Sequence, residues 1–407
     1  MLQPRTIEIV KSTVPVLAEH GPQITARFYQ LMFSNHPELL NVFNHANQRQ
    51  GKQSMALANA VYAAAANIDR LETILPVVQQ IAQKHRALNV KPEHYPIVGE
   101  HLLLAIKDVL GDAATDDIIQ AWAEAYGVIA DVFIQVEADM YKEAEQQDGG
   151  WSDVRRFIIA RKVKESDVIT SFYLKPENDQ PIASFLPGQY ITIRVQPEGQ
   201  VNTHYRHYSL SQAPHPDVYR ISVKREGGDA NSPAGVVSCY MHDMVQEGDV
   251  IEATAPAGDF TLKPSAAPVV LIGGGVGQTP LLSMLHSLAG EDSKRDVYYI
   301  HASRNHAAHA FSQEVNELAA QHSHLHTFLC YEKSSGTEST ESCDHIGFVD
   351  AQWLSSIIPS SVWKKADVYF CGPEPFMKAV YRAIKQLGAS PDHIHYEYFG
   401  PAGSLEA

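Results

Sequence analysis

A glycine-rich run follows a short apolar stretch, residues 269–272, and leads into a helical pattern. Glycine lets a backbone approach a pyrophosphate closely, and a helix N-terminus offers free N–H groups with a partial positive charge. Pro280 stands where the third glycine of G-x-G-x-x-G would be, so an ordinary tight turn between strand and helix stays an open alternative. The residues of this candidate nucleotide-binding turn are Gly273, Gly274, Gly275, Val276, Gly277, Gln278, Thr279 and Pro280.

One of the six histidines before residue 102 differs from the others in its context. His85 follows an amphipathic segment, residues 74–84, whose apolar stripe is expected to face the interior. Further upstream, Gln53 and Leu57 form an i, i+4 pair, which would set a polar and an apolar group over one side of a planar ligand. Taken singly, each histidine is more often a surface or core residue than a ligand. The six are His20, His36, His45, His85, His94 and His101.

Glu137 lies on or beside an apolar stripe formed by Val132, Phe133, Val136 and Met140. A carboxylate in such surroundings needs a partner, because burying it unpaired is costly. The alternative is a glutamate whose stem packs while its head reaches solvent.

The type of secondary structure that the sequence predicts around these residues changes along the chain. Up to a polar, glycine-ended linker at residues 145–150, the apolar residues follow a helical period with almost no strand signals, which predicts an all-α domain. The predicted helices cover residues 4–19, 22–34, 53–68, 74–85, 94–110 and 116–145.

Short strand-like runs separated by turn residues follow, a pattern typical of a small antiparallel barrel. The predicted strands are residues 156–160, 168–174, 190–195, 205–210, 219–224 and 250–255. After a proline-marked joint at residues 263–268, strands alternate with helices, which predicts a parallel α/β domain. The strands there are 269–272, 297–301, 325–331 and 368–371, and the helices are 280–289, 310–321 and 374–386.

Length and composition narrow the class of protein. A chain of 407 residues is too long for one core. The net charge of −15 argues against a nucleic-acid partner. Four cysteines without a C-x-x-C pair fit a reduced, cytoplasmic compartment. No signal peptide is predicted, because the first thirty residues carry charges at helical intervals and no continuous apolar region. No membrane span is predicted, because glycines and Pro280 interrupt the long apolar stretch at residues 266–285.

Residues 370–373 read Phe-Cys-Gly-Pro, and an aromatic-rich segment follows at residues 396–401. Together with the glycine-rich turn they resemble the ferredoxin-reductase-like flavoprotein module. Ser303 and Arg304 stand where a Rossmann dehydrogenase would carry an acidic residue, so the choice between NADH and NADPH stays open. The resemblance implies that the nucleotide contacts the turn, Ser303, Arg304, Cys371, Gly372 and Pro373.

The same resemblance implies an FAD site in the middle domain. Arg206 and Tyr208 of an R-x-Y-S match share one strand face, with the guanidinium toward the pyrophosphate and the phenol toward the flavin ring. A P-G-Q-Y match at residues 187–190 and a G-x-x-S match at residues 235–238 belong to the same module. The implied FAD-binding residues are Tyr190, Arg206, His207, Tyr208, Ser209, Gly235, Val236, Val237, Ser238, Tyr398, Phe399, Gly400 and Pro401.

With these residues and its helical domain, the whole chain resembles the bacterial flavohaemoglobins. By that likeness His85 is the axial ligand of a haem b iron, and Tyr95 and Glu137 form a hydrogen-bonded relay behind it. Such a partner for the far imidazole nitrogen increases electron donation to the metal. The resemblance also places Tyr29, Gln53, Leu57 and Phe43 in the distal pocket, and it implies that Lys84 and Glu397 tune the redox centres.

The predicted fold is multidomain, with boundaries set by these changes in pattern. An all-α globin covers residues 1–138, a linker 139–150, an antiparallel β-barrel FAD domain 151–263, and an α/β parallel-sheet NAD(P)H domain 264–407. The expected cofactors are haem b, FAD, and NADH or NADPH.

The activity that the resemblance implies is a nitric oxide dioxygenase. A hydride passes from NAD(P)H to FAD, single electrons pass to haem, and NO and O2 become nitrate. An oxygen-binding or sensing globin with an attached haem reductase stays an alternative, as does a flavin or ferric reductase whose helical domain lacks haem. The buried acid favours the enzyme, because a reversible carrier gains nothing from strong donation to bound oxygen. The expected partners are O2, NO and NAD(P)H, and a monomer is expected.

Overall fold

The computed structural model describes residues 2–43, 51–228, 233–290, 295–332, 343–400 and 405. The chain divides into two compact units. The first consists of Met1–Val154 with Thr192–Arg206, and the second of Arg155–Ile191 with His207–Ala407. Three blocks of secondary structure follow one another along the sequence: helices, an antiparallel sheet, and a parallel sheet with helices.

The helical block confirms the predicted all-α class. Its described helices are α1 (Pro4–Ser12), α2 (Val14–Asn35), α3 (Lys52–Ala66), α4 (Leu75–Ala87), α5 (His94–Leu110) and α6 (Asp116–Gln146), with 3-10 turns at Pro37–Asn41, Leu71–Ile74 and Gly111–Ala113. Thr115 caps α6 by accepting from the Ile118 amide, and Asp116 and Asp117 complement the helix dipole in its first turn. The apolar faces of the helices in this block share a core that includes Phe28, Met32 and Trp122.

One predicted helix boundary is wrong. The sequence placed a break at residues 19–22, but the break lies at Thr13 and Pro22 sits inside α2. The Thr13 hydroxyl donates to the Val10 carbonyl at the end of α1. A proline inside a helix loses one hydrogen bond, and the apolar face of α2, buried from Leu17 to Met32, offsets that loss.

The middle block is one six-stranded sheet in the order β4-β3-β6-β1-β2-β5. Its strands are β1 (Val154–Lys164), β2 (Ile169–Pro176), β3 (Tyr190–Val195), β4 (His204–Ser209), β5 (Tyr219–Lys224) and β6 (Val250–Thr254). Strand β2 runs antiparallel to both β1 and β5. One helix, α7 (Val236–Asp243), follows β5. All six predicted strands are therefore confirmed, to within a few residues at their ends.

The last block is a parallel sheet in the order β10-β9-β8-β7-β11-β12. Its strands are β7 (Val269–Gly274), β8 (Val297–Ser303), β9 (Leu325–Tyr331), β10 (His345–Ile346), β11 (Asp367–Cys371) and β12 (Ile394–Glu397), and its helices are α8 (Gln278–Gly290), α9 (Ser312–Gln321), α10 (Ala351–Ile357), α11 (Ser360–Trp363) and α12 (Glu374–Gln386). One core covers each face of the sheet.

Strand order determines where this domain can bind a ligand. From β7 the chain first adds β8 and β9 on one side, and it later places β11 on the other side. The carboxyl ends of β7 and β11 therefore flank a topological switch point, where open parallel sheets bind their ligands. The sequence did not predict β10, β12, α10 or α11, because these elements are short and carry little periodicity.

Among the described residues, no helix combines the length and the apolar character needed to cross a membrane.

Candidate functional site

Three helices bring three predicted residues together in the helical block. His85 lies in the last turn of α4, Tyr95 in the first turn of α5, and Glu137 in the middle of α6. Nδ1 of His85 lies 2.7 Å from Oε1 of Glu137. The Tyr95 hydroxyl donates to the same oxygen over 2.6 Å and lies 3.2 Å from Nδ1 of His85.

The proton positions follow from the chemistry of the groups. A carboxylate only accepts hydrogen bonds, so the proton of His85 resides on Nδ1 and Nε2 keeps its lone pair. Glu137 is 2% exposed, so its side chain is buried and the predicted snorkelling alternative does not apply. Burial, reinforced by the charge of Glu137 and the hydrogen bond to it, raises the pKa of Tyr95 far above its ordinary value. Tyr95 therefore stays protonated and remains a donor.

The imidazole fits a haem iron as its metal. Among the described residues, Nε2 of His85 makes no hydrogen bond, while Nδ1 is fixed by an acid. This is the usual arrangement of a metal-binding histidine, in which the second ring nitrogen donates to a carboxylate that sets the tautomer. The ring also packs beside Phe133, with centroids 5.8 Å apart. A haem iron, if bound here, would be held by Nε2 of His85.

Two tyrosines that sequence reasoning missed support this group of residues. The Tyr126 hydroxyl donates to the Tyr95 carbonyl over 2.7 Å, and Gly99 leaves room for the Tyr126 ring, because a Cβ there would lie 2.5 Å from it. The Tyr141 hydroxyl donates to the Val90 carbonyl over 2.7 Å, just after α4. Tyr126, Phe133, Glu137 and Tyr141 are spaced by seven, four and four along α6, so a face analysis could have found both tyrosines.

An aromatic cluster forms around the predicted distal tyrosine. Tyr29 is buried in α2, and its ring lies 5.7 Å from that of Phe33 and 5.8 Å from that of Phe43, between centroids. Gln53 and Leu57 are half-buried and one turn apart on α3. Tyr29 therefore contributes a phenol to a cluster that is otherwise made of phenylalanine rings. Lys84 precedes His85 and is half-buried.

The predicted flavin residues of the sheet lie on β3 and β4. The rings of Tyr190 and His207 lie 4.7 Å apart between centroids. Nη1 of Arg206 donates to the Tyr205 carbonyl over 2.7 Å, and Ser209 is buried. A Cβ on Gly188, at φ +105, would overlap the carbonyl oxygen of Phe260, so the predicted turn before Tyr190 requires glycine. A guanidinium on the same strand as aromatic residues suits a flavin nucleotide.

The predicted G-x-x-S segment begins a helix. Gly235 is the N-cap of α7, which starts at Val236 and buries Val237. The Ser238 hydroxyl donates to the Gly235 carbonyl over 3.2 Å and accepts from the Glu226 amide over 3.2 Å. Its hydroxyl therefore stabilises the turn, while amides in the first turn of the helix are the groups available to a phosphate.

The glycine-rich turn lies at the switch point of the parallel sheet. Gly273 pairs with Cys371 on the neighbouring strand β11. A Cβ on Gly277 would overlap the carbonyl of Cys371, so the turn approaches the Cys371–Gly372 segment as closely as backbones allow. The turn continues through the 3-10 helix Gly275–Gly277 into α8, which begins at Gln278 and contains Thr279 and Pro280. Backbone groups of the turn and of the Cys371–Gly372 segment therefore lie where they could hold a dinucleotide.

A buried histidine that sequence reasoning missed supports this turn. Nε2 of His301, on β8, lies 3.3 Å from the carbonyl oxygen of Gly275. Burial, with a smaller contribution from the neighbouring His309, lowers the pKa of His301 to about 3, against the effect of the Gly275 contact. The ring is therefore neutral and donates to the turn. A strand histidine carries no local signature that could have revealed it.

Other predicted nucleotide residues lie at the carboxyl ends of the strands. Strand β8 ends at Ser303, whose hydroxyl donates to the Asn305 carbonyl over 3.2 Å, and Arg304 is exposed.

Glu397 ends β12, and Phe399 exposes half of its surface. Tyr398 packs partly into the core, Gly400 follows, and Pro401 lies outside the described residues. Burial holds the pKa of the Cys371 thiol well above its ordinary value, so it stays neutral.

Comparisons with known proteins agree with the three blocks. Residues 26–133 match the globin family, residues 156–262 the oxidoreductase FAD-binding domain, and residues 271–382 the oxidoreductase NAD-binding domain. Together they define a globin joined to a flavin- and nicotinamide-dependent reductase, so the predicted fold class and cofactors, haem, FAD and a nicotinamide nucleotide, are confirmed.

Relatives match over the full length. The flavohemoprotein of Bacillus thuringiensis subsp. konkukian (strain 97-27) is 55% identical over 100% of both chains, and that of Bacillus subtilis (strain 168) is 53% identical over 100% of this chain and 99% of its own. A crystal structure of flavohemoglobin from Malassezia yamatoensis with bound FAD and heme is 27% identical, with a TM-score of 0.83 over 98% of this chain and 100% of that one. The chain belongs to the flavohemoprotein family.

Proposed function

We propose that this flavohemoprotein is a nitric oxide dioxygenase. Two molecules each of nitric oxide and dioxygen consume one NAD(P)H and give two nitrates, NAD(P)+ and one proton. When bound, FAD accepts a hydride and releases single electrons, and haem supplies an iron that takes them and binds diatomic gases. The chain's own residues must then bind the cofactors, donate electron density and exclude water.

The buried Glu137 is the observation that carries this proposal. It accepts from both Nδ1 of His85 and the Tyr95 hydroxyl. A carboxylate on the far nitrogen gives an imidazole anionic character, which strengthens donation to a metal on Nε2. An imidazole held by a carboxylate in this way would suit the activation of dioxygen, which reversible oxygen carriage does not need. Burying this charge is also costly, so a structural role alone explains it poorly.

Tyr29, the proposed distal residue, offers a second group that would complement Glu137. The Tyr29 ring packs against the rings of Phe33 and Phe43. A hydroxyl in such surroundings can donate to an oxygen that gains negative charge, an interaction worth more in a low dielectric than in water.

A structural relative supports the same activity. The flavohem-like FAD/NAD-binding domain of nitric oxide dioxygenase from Vibrio cholerae O1 biovar El Tor is 39% identical, with a TM-score of 0.55 over 61% of this chain and 99% of that one. We extend that activity to this protein, with O2, NO and NAD(P)H as its small-molecule substrates. The exposed Arg304 can meet a 2′-phosphate, so both nucleotides are expected to serve.

An electrode assay tests the proposal. The protein, loaded with haem and FAD, is given NADH in air-saturated buffer, and the loss of added NO is followed. Rapid loss that stops when NADH is withheld, with nitrate as product, is the expected result. Loss of NO at the rate of buffer alone, together with reversible oxygen binding, would instead identify an oxygen carrier whose reductase keeps the iron ferrous.

A further inference from the structure

A buried arginine joins strand β5 to helix α9 inside the second compact unit. Arg220 lies on β5, and Glu314 lies in the first turn of α9. Nη1 of Arg220 donates to Oε2 of Glu314 over 2.9 Å, and Nη2 lies 2.8 Å from Oε1. Both residues belong to the same unit, which holds residues 155–191 and 207–407. Such a bidentate pair fixes direction as well as distance, because its two bonds share one plane.

On the side of β5, the same guanidinium holds the segment that follows the proposed flavin residues. Nε of Arg220 donates to the Ser211 hydroxyl over 3.2 Å, and Nη2 donates to the Ser211 carbonyl. Ser209, a proposed flavin residue of the same unit, lies two positions before Ser211 and is buried. The position of Arg220 is therefore coupled to the backbone next to the proposed flavin site.

On the side of α9, Glu314 extends the contact to α8, the helix that follows the glycine-rich turn. Nε2 of His286, on α8, donates to Oε1 of Glu314. The Ser283 hydroxyl, on the same helix, donates to the Gln212 carbonyl over 2.6 Å. Helix α8 is thus bonded to the segment after the proposed flavin residues twice, once through the Arg220–Glu314 pair and once directly.

The ion pair is charged and its orientation is restricted. Burial would raise the pKa of Glu314, but hydrogen bonds from His286 and Arg220 and the charge of Arg220 outweigh it and lower that pKa to about 2. The ring centroids of Tyr173 and Phe311 lie 6.0 and 5.4 Å from the guanidinium carbon. A buried ion pair adds little net stability, because removing its charges from water is costly. The main consequence of this pair is therefore geometric.

We propose that Arg220 and Glu314 are positioning residues for hydride transfer: their paired bonds align the glycine-rich turn with the proposed flavin residues, so that nicotinamide and flavin meet in a reactive orientation. In that step two electrons and one proton move together from NADH to FAD, and NAD+ remains. A misplacement of about 1 Å can slow such a step by about 100-fold. The inference rests on the binding of flavin and nicotinamide within this unit, and not on the proposed reaction with nitric oxide.

Two variants of the full-length protein test this role. In Arg220→Met/Glu314→Leu both charged groups are replaced by apolar groups, an exchange that buried ion pairs often tolerate because no charge is left alone. Arg220→Lys keeps the positive charge but lacks the planar guanidinium. A lysine cannot make two parallel bonds to Glu314 while it also holds Ser211.

A second buried ion pair supplies the matched control. Nη2 of Arg295 lies 3.1 Å from Oδ2 of Asp367, and Nδ1 of His393 lies 2.8 Å from Oδ1 of the same carboxylate. This group again contains an arginine, an acid and a histidine, and both members of its ion pair are buried. It lies within the parallel-sheet block, where Asp367 begins β11. Arg295→Met/Asp367→Leu therefore removes a comparable pair without releasing β5 from α9.

Anaerobic stopped-flow mixing of the haem- and FAD-loaded protein with increasing NADH measures flavin bleaching. In both variants of Arg220 the limiting rate is expected to fall by at least about tenfold. The NADH concentration that gives half of that rate should not change. A long-wavelength absorption band, which arises when a nicotinamide ring lies against a flavin, should weaken in parallel. The control variant should match wild type in all three readouts.

Three outcomes would overturn the proposal. A wild-type limiting rate in Arg220→Lys would show that the bidentate geometry does not control the step, whether or not the double variant folds. A change confined to the half-saturating NADH concentration would assign the pair to nucleotide binding. Equal slowing in the Arg295→Met/Asp367→Leu control would show a general loss of stability. No nitric oxide is present in this experiment, so its result is independent of the dioxygenase assay.

Discussion

The hydroxyl of Tyr95 donates to Oε1 of Glu137 over 2.6 Å, linking α5 to α6 within the helical domain. The same oxygen accepts a hydrogen bond from Nδ1 of His85. One carboxylate oxygen thus holds both the orientation and the tautomer of the proposed iron ligand. The Tyr126 hydroxyl fixes the backbone of Tyr95 in turn, so the geometry depends on contacts from two helices.

Replacing Glu137 by Gln should slow turnover with nitric oxide by about tenfold without loss of haem. An amide oxygen still accepts one hydrogen bond but carries no charge. Changes of this kind behind a metal ligand typically lower activity by about 10- to 100-fold. The measurement is NADH-driven NO consumption, with haem content from the absorption spectrum. Glu143→Gln, an exposed residue on the same helix, serves as control. Equal rates for Glu137→Gln and wild type would remove the proposed role of the acid.

Replacing His85 by Ala should abolish the ferrous–CO Soret band while flavin absorbance persists. The imidazole is the group that would bind the haem iron, and the proposed flavin residues lie on other elements of the chain. Spectra of the reduced protein under carbon monoxide provide the measurement. His20→Ala should leave both chromophores in place. A retained Soret band in His85→Ala would mean that another residue binds the iron.

Replacing Gly277 by Ala should raise the KM for NADH by at least about tenfold, because the new Cβ overlaps the Cys371 carbonyl and forces the turn away from the neighbouring strand. Steady-state reduction of an external acceptor measures this effect without involving haem. Gly290→Ala is the matched control, since a Cβ there meets nothing within 4 Å. An unchanged KM in Gly277→Ala would show that the close approach is not needed for nucleotide binding.

The buried His301 should make stability fall as the solution is acidified. Burial lowers its folded pKa to about 3, so below the ordinary value of 6.5 the unfolded chain binds a proton that the folded chain does not. The stability that neutral, buried His301 allows is therefore fully present above pH 6.5, and the free energy of unfolding decreases progressively as the pH falls toward 3. At pH 5 the loss is about 2 kcal/mol. His309, whose pKa burial lowers to about 4, acts in the same direction.

Thermal melts at pH 7 and pH 5 measure this effect. His301→Gln, which cannot titrate, should show a smaller decrease in Tm between the two pH values than wild type. His215→Gln, at an exposed site, should behave as wild type. Parallel decreases in wild type and His301→Gln would contradict the assignment.

Local patterns in the sequence were sufficient to predict most elements and to select several candidate site residues. Periods of 3.6 and 2 marked helices and strands, because each reflects which neighbouring side chains share a face. The glycine-rich turn was visible for a similar reason, since its strand, its glycines and its helix are contiguous. Glu137 stood out because a carboxylate on an apolar stripe conflicts with the residues next to it.

Only the tertiary structure decided which distant residues meet. Nothing near Arg220 in the sequence indicates Glu314, and nothing near His301 indicates Gly275. The break at Thr13, with Pro22 inside a helix, was decided in the same way, because burial of one face of α2 offset a lost hydrogen bond. Sequence periodicity describes the faces of single elements, whereas contacts between elements depend on packing free energies summed over the whole core.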